Sequence, residues 1–171
     1  MKPVFNEHYG ASGWKAFLAF WQNYANFKGR STRSEYWWST LFLTIVLTAV
    51  FLLSFVWLLF AALRSPETFT AKFSFYDLWP LLIVAIMVLS MAIPSFAIAV
   101  RRFRDAGVHW GVFLTFQITG IVVSVIPQIL WRLGLVTTNL SQSWWVTLLS
   151  WGMMLTMLVI EILPSKPLPE K

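Results

Sequence analysis

The sequence contains no cysteine. Disulfides, thiolate metal sites and cysteine nucleophiles are therefore excluded at the outset. Charge is also scarce. Only 12% of the 171 residues are Asp, Glu, Lys or Arg, about half the roughly 25% of an ordinary soluble domain. Acids are the rarer sign, 7 against 13 Lys and Arg. No ionisable side chain falls within Leu41–Leu63, Leu78–Val100 or Gly111–Trp131. Ion and proton pumps usually keep buried acids in their spans, so this absence counts against an active transporter. There are two His, His8 and His109, with no ligand spacing around either, so no metal site is expected. A Gly-rich phosphate loop, a Ser/His/Asp set and paired carboxylates are likewise missing. No enzyme and no cofactor is expected. The polar start Met1–Gly10 lacks an apolar core followed by a cleavage site, so no removable signal peptide is expected either.

What the chain has in abundance is apolar surface. It is 58% hydrophobic with 11 Trp and 15 Phe, and its mean hydropathy is +0.68. Three uncharged runs of 21 to 23 residues, and a fourth over Trp144–Leu163 ending near Glu161, each suffice to cross a hydrocarbon core about 30 Å thick. The expected fold class is an all-α integral membrane protein, four transmembrane helices preceded by an amphipathic interfacial helix. Residues 1–12 form an exposed arm. Residues 13–35 hold the amphipathic helix and a basic turn. Residues 36–163 hold the spans, at about 41–63, 78–100, 111–131 and 144–163. Residues 164–171, with three Pro and two Lys, read as a disordered tail. The loop after Arg64, rich in Phe, is expected to rest on the bilayer surface.

Several local features refine this plan. Trp14, Phe17, Leu18, Trp21 and Tyr24 fall at spacings of three and four. That apolar face can lie in the membrane interface or against the chain's own helices. Gly29 supplies a turn. Thr32 and Glu35 have capping-box spacing, so a helix is expected to start near Thr32. Tyr36, Trp37 and Trp38 mark the headgroup level. Pro94 leaves the carbonyl of Ser90 without its helical donor, and a kink is expected there and at Pro127. A serine hydroxyl or a neighbouring helix should satisfy that carbonyl. Gln117, Thr119, Ser124 and Gln128 read as interhelical hydrogen-bonders.

The net charge is +6 and the isoelectric point about 10.0. Its basic residues flank the spans, so the partner implied is the lipid bilayer and its anionic phospholipid headgroups, not nucleic acid. With four spans, ten of the 13 Lys and Arg lie on one side. They are Lys2, Lys15, Lys28, Arg30, Arg33, Arg101, Arg102, Arg104, Lys166 and Lys171. Arg64, Lys72 and Arg132 lie on the other. The positive-inside rule then puts both termini on the cytoplasmic side of the cytoplasmic (inner) membrane.

The densest charge is Arg101-Arg102-Phe103-Arg104-Asp105-Ala106-Gly107. Asp105 stands at a helix C-terminus, where the dipole disfavours an acid. It therefore needs cations, and Arg101 at i−4 and Arg102 at i−3 can reach it. Gly107 is a left-handed terminator. Structurally the block fixes topology and caps its helix. Functionally, with Arg30, Arg33 and Glu35 joining it, the block can hold phosphate headgroups or an acidic partner segment. In that reading Asp105 and Glu35 each pair with an Arg, and three surplus cations attract anions.

Phe27-Lys28-Gly29-Arg30-Ser31-Thr32-Arg33-Ser34-Glu35-Tyr36-Trp37-Trp38, with Pro94, the arginine block and Trp110, resembles a bacterial inner-membrane family. That family is catalogued as domain of unknown function eight-hundred-and-five. Its pattern is Gly-Arg-x-x-Arg-x-Glu-Tyr/Phe-Trp, then Arg-Arg-Leu-His-Asp with a nearby Gly and Trp. Here Phe103 stands for the Leu and Arg104 for the His. The resemblance covers about Phe27 to Leu130 and implies a small polytopic membrane protein, with no established activity. The expected function is a non-enzymatic scaffold or interaction protein, working through self-association or a membrane-protein partner as well as lipid. The alternative is a small transporter or channel component.

Overall fold

The computed structural model describes residues 8–64, 75–136 and 143–166, without the side chains of Arg64 and residues 75–78. The start of the arm, residues 65–74 and 137–142 between the spans, and the end of the tail lie outside the described residues. Among those described there are five helices and no strand. They are α1 (Trp14–Gln22), α2 (Arg33–Arg64), α3 (Phe75–Asp105), α4 (Trp110–Arg132) and α5 (Trp144–Ile162). Helices α2 to α5 are each long and apolar enough to cross a membrane, and α1 is the short helix in front. The protein is an all-α membrane protein.

The helices overrun the apolar runs. α2 has 32 residues, about 48 Å at 1.5 Å per residue, against about 30 Å of hydrocarbon. It starts directly after Thr32, and buried Glu35 sits in its first turn, where the positive helix end suits an acid. α3 likewise runs on through the arginines to Asp105. Both α3 and α4 stay helical through their internal prolines, Pro80, Pro94 and Pro127.

The described chain forms two compact units. The first comprises Ala11–Asn26 and Ser34–Ile98. Its core is Phe20, Leu43, Met91 and Ile98. α1 packs on α2 within it. Phe17 and Trp14 lie 5.6 and 5.8 Å from the Phe42 ring, and the Ser39 hydroxyl donates to the Ala16 carbonyl at 3.1 Å. The fully buried residues of α1 are Ala16, Ala19 and Phe20, while Phe17 and Trp21 of the periodic face are partly buried against the same core. Trp14 and Leu18 remain 60% and 43% exposed.

Pro94 is fully buried in α3. The carbonyl it frees, that of Ser90, accepts a hydrogen bond from the Tyr24 hydroxyl at 2.8 Å. The Ser90 hydroxyl turns instead to the Met87 carbonyl. The segment after α1 thus supplies what the proline removed. Tyr24→Phe keeps the ring stacked on Trp21 and removes only the donor. It is expected to cost about 1–3 kcal/mol, the penalty of an unmet buried carbonyl. Thermal unfolding in mild detergent measures it, and an unchanged midpoint would mean the carbonyl is otherwise satisfied.

The second unit comprises Met1–Gly10, Phe27–Arg33 and Ala99–Lys171, so far as they are described. α4 and α5 pack on one another within it. α3 ends at a Schellman cap. The N–H of Gly107 reaches the Arg104 carbonyl at 3.1 Å and that of Val108 reaches Phe103 at 2.9 Å. Gly107 takes φ +77°, which only glycine adopts cheaply. His109 opens α4 as its N-cap, its Nδ1 accepting from the Gly111 N–H at 3.1 Å. Phe103 is buried against Phe113, ring centroids 5.5 Å apart.

Candidate functional site: a buried arginine–aspartate knot

Asp105 is the last residue of α3 and is wholly buried. Its carboxylate is surrounded. Oδ2 accepts from the Arg102 guanidinium at 2.9 Å and from the Ser165 hydroxyl. Oδ1 accepts from the Tyr9 hydroxyl at 2.9 Å and lies 3.7 Å from Arg30 Nε. The Asp105 carbonyl accepts from the Lys166 N–H at 2.8 Å. One residue thereby joins four pieces of chain: the arm, the basic turn, α3 and the segment after α5. This corrects the expectation of a loose arm and a disordered tail at Tyr9, Ser165 and Lys166, because each meets an acceptor that burial would otherwise leave unmet.

Arg102 is also wholly buried. Besides Asp105 it donates to the carbonyls of Glu161, at 3.0 Å, and Leu163. Arg33 donates to the Ile162 carbonyl at 3.4 Å. Arg30 donates to the carbonyls of Lys166 at 3.3 Å and Arg104 at 3.4 Å. Arg104 donates to the Phe27 carbonyl, and the Ser31 N–H to that of buried Arg101 at 3.4 Å. Much of the donor capacity goes to the ends of α3 and α5. A helix leaves its last four carbonyls without internal donors, and its C-terminus acts as about half a negative charge. Counting carboxylates alone gives three surplus cations; two helix ends, at about half a charge each, offset about one of them.

The expected cluster is thus placed as follows. Arg30, Arg33, Arg101, Arg102, Arg104 and Asp105 belong to one unit, with Arg30 and Arg102 on Asp105. Glu35 belongs to the other unit, buried in α2. Tyr9, Ser165 and the carbonyls of Glu161, Ile162 and Leu163 are partners that side-chain spacing does not reveal. The one hint is Pro164, which stops α5 and leaves its last carbonyls to be met from outside.

The family profile described as Protein of unknown function (DUF805) matches residues 24–171. The chain belongs to this family. No curated protein and no solved structure matches it. The DUF805 match takes in the basic turn, the arginine block and the segment after α5. Tyr9 and α1 lie before it, so the tie from the arm to Asp105 is contributed from outside the matched residues.

Burial, and next the hydrogen bond to Asp105, raises the Tyr9 phenol above its ordinary value of 10.0. Asp105 charge acts in the same direction, while Ser165 and Arg30 act against it. A raised folded-state value means that the contribution is complete below pH about 10 and is lost as pH rises through the raised value. Tyr9→Phe is therefore expected to lower stability at pH 7.5 by about 1 kcal/mol, one ordinary hydrogen bond. The gap to wild type should close in alkaline buffer above pH about 10. Melting curves of both chains at the two pH values decide it, and a gap that widens with pH would refute the tie.

Proposed function

We propose that this chain is a multi-pass protein of the bacterial cytoplasmic (inner) membrane, with both termini cytoplasmic. It works as a non-enzymatic scaffold or interaction protein, meeting anionic phospholipid headgroups at its arginine face. The supporting observation is the layering of that face. Arg101, Arg102 and Asp105 are buried, while Lys28, Arg33 and Lys166 of the same unit are exposed. A buried inner layer presents an outer layer of cations, each contributing about 1 kcal/mol near an anionic leaflet.

The cysteine-free chain suits two tests. Single cysteines at Thr70, Asn139 and Val108 are labelled in intact cells with an impermeant thiol reagent. Labelling at Thr70 and Asn139 but not at Val108 fits the orientation, and the reverse contradicts it. In detergent, added phosphatidylglycerol should raise the melting midpoint more than phosphatidylcholine does. Lys28→Gln with Arg33→Gln should remove the difference. Equal shifts by the two lipids would overturn the lipid-binding reading.

A further inference from the structure

The polar residues expected to join helices are Gln117, Thr119, Ser124 and Gln128. None of their side chains has a hydrogen-bond partner among the described residues. Other hydroxyls of α4 and α5 turn back on their own helix. Thr115 donates to the Gly111 carbonyl at 2.9 Å, Ser150 to Val146 at 2.9 Å and Thr156 to Gly152 at 2.8 Å. Gln117 lies about 10 Å from the start of α4 and Ser124 about 12 Å from its end. Both are therefore inside a hydrocarbon core about 30 Å thick, where no water meets them.

The carboxamides share a face with a glycine. At about 100° per residue, Gln117, Gly120, Ser124 and Gln128 fall within about 80° of the α4 surface. Gln117, Gly120 and Ser124 line a groove of about 470 Å³ between α4 and α5. Its α5 wall is chiefly Met153, Met154, Met157 and Leu158, and methionine walls adapt to an incoming side chain. A Cβ at Gly120 would meet nothing within 4 Å, so a second helix can approach closely there. Ile121, beside the same face, is exposed and free to act as a knob.

What fills this groove must supply donors and acceptors deep in the membrane. An acyl chain supplies neither. A second copy of this chain supplies both at the required depth, because copies inserted in one orientation carry Gln117 at the same level. A carboxamide is also its own complement, its N–H donating to the other's carbonyl and its carbonyl accepting in return. A two-fold axis along the membrane normal brings the same patch of both copies together.

We propose that the chain forms a parallel two-fold dimer, α4 of each copy lying in the α4–α5 groove of the other and the Gln117 carboxamides pairing across the axis. The dimer rests on the membrane reading of α4 and α5 and needs no anionic lipid.

The test uses the full chain in vesicles of phosphatidylcholine alone. A single cysteine replacing Asn139 carries a donor or an acceptor dye, and energy transfer is followed as lipid dilutes the protein. Transfer rising linearly with the acceptor fraction is expected, as for a dimer. Gln117→Leu should weaken association about tenfold. Gly120→Leu, which fills the groove, should abolish it. Melting midpoints of both variants in excess detergent, where copies are apart, should match wild type. In the otherwise cysteine-free chain, Ser124→Cys should cross-link between copies on oxidation. Ile126→Cys, exposed on the opposite face of α4, should not. This pair decides the face even where Gly120→Leu fails to fold. Monomers at every dilution would overturn the proposal. So would transfer that folded Gly120→Leu leaves intact, or cross-linking at Ile126→Cys but not at Ser124→Cys. A phosphatidylglycerol preference in a chain that stays monomeric would keep the lipid reading and reject the dimer.

Discussion

Asp105→Asn is expected to lower stability in mild detergent by about 3–5 kcal/mol, the cost of breaking a buried pair by removing one partner. Asp105 and Arg102 are both fully buried and 2.9 Å apart. An asparagine keeps the shape and one acceptor, but it removes the carboxylate charge paired with buried Arg102. It also weakens the tie to Tyr9, Ser165 and Arg30 together. Glu67→Gln, in the loop expected on the other side of the membrane, is the control and should change stability by less than about 0.5 kcal/mol, as ordinary surface changes do. If the two variants melt alike, Asp105 is not the centre of the network.

Arg102→Met should cost a similar amount, about 3–5 kcal/mol, by a different route. Met fills much of the space of the arginine stem. It leaves Asp105 facing Arg30, whose Nε is 3.7 Å away. It also removes the donor from the carbonyls of Glu161 and Leu163 at the end of α5. An unmet buried acceptor costs about 1–3 kcal/mol. Arg102→Lys should recover only part of the loss, because an ammonium on a flexible stem cannot bridge a carboxylate and two carbonyls as a planar fork does. Full recovery by Lys would show that charge matters here and geometry does not.

The spans were legible because an uncharged run of more than 20 residues has few other outcomes. The start of α2 was legible as well, since Thr32 and Glu35 carry the spacing of a helix start. The buried side of α1 was legible only in part. Periodicity picks out Phe17 and Trp21, which pack partly buried on the core, along with Trp14 and Leu18, which stay exposed, and it passes over the small Ala16 and Ala19, which are buried. Within the site, the pairing of Arg102 with Asp105 follows from their spacing of three on one helix. The proximity of Arg30 could be argued only from topology, since 75 residues separate it from Asp105. Most of the remaining partners are backbone carbonyls at helix ends. Every residue has a carbonyl, so no side-chain pattern announces which ones a guanidinium will meet. Tyr9 lies in a polar arm with no periodic signal, and nothing in its neighbours points to Asp105.

The family description assigns no activity, so the account rests on the knot as a built network rather than a chance gathering of arginines. A double-mutant cycle in mild detergent tests this most directly, with wild type, Asp105→Asn, Arg102→Met and the double variant compared by reversible unfolding. A buried network predicts that the double variant is more stable than the two single losses imply, with a coupling of about 2–3 kcal/mol. Losses that add to within about 0.5 kcal/mol would mean that Arg102 and Asp105 act independently, and would contradict the account.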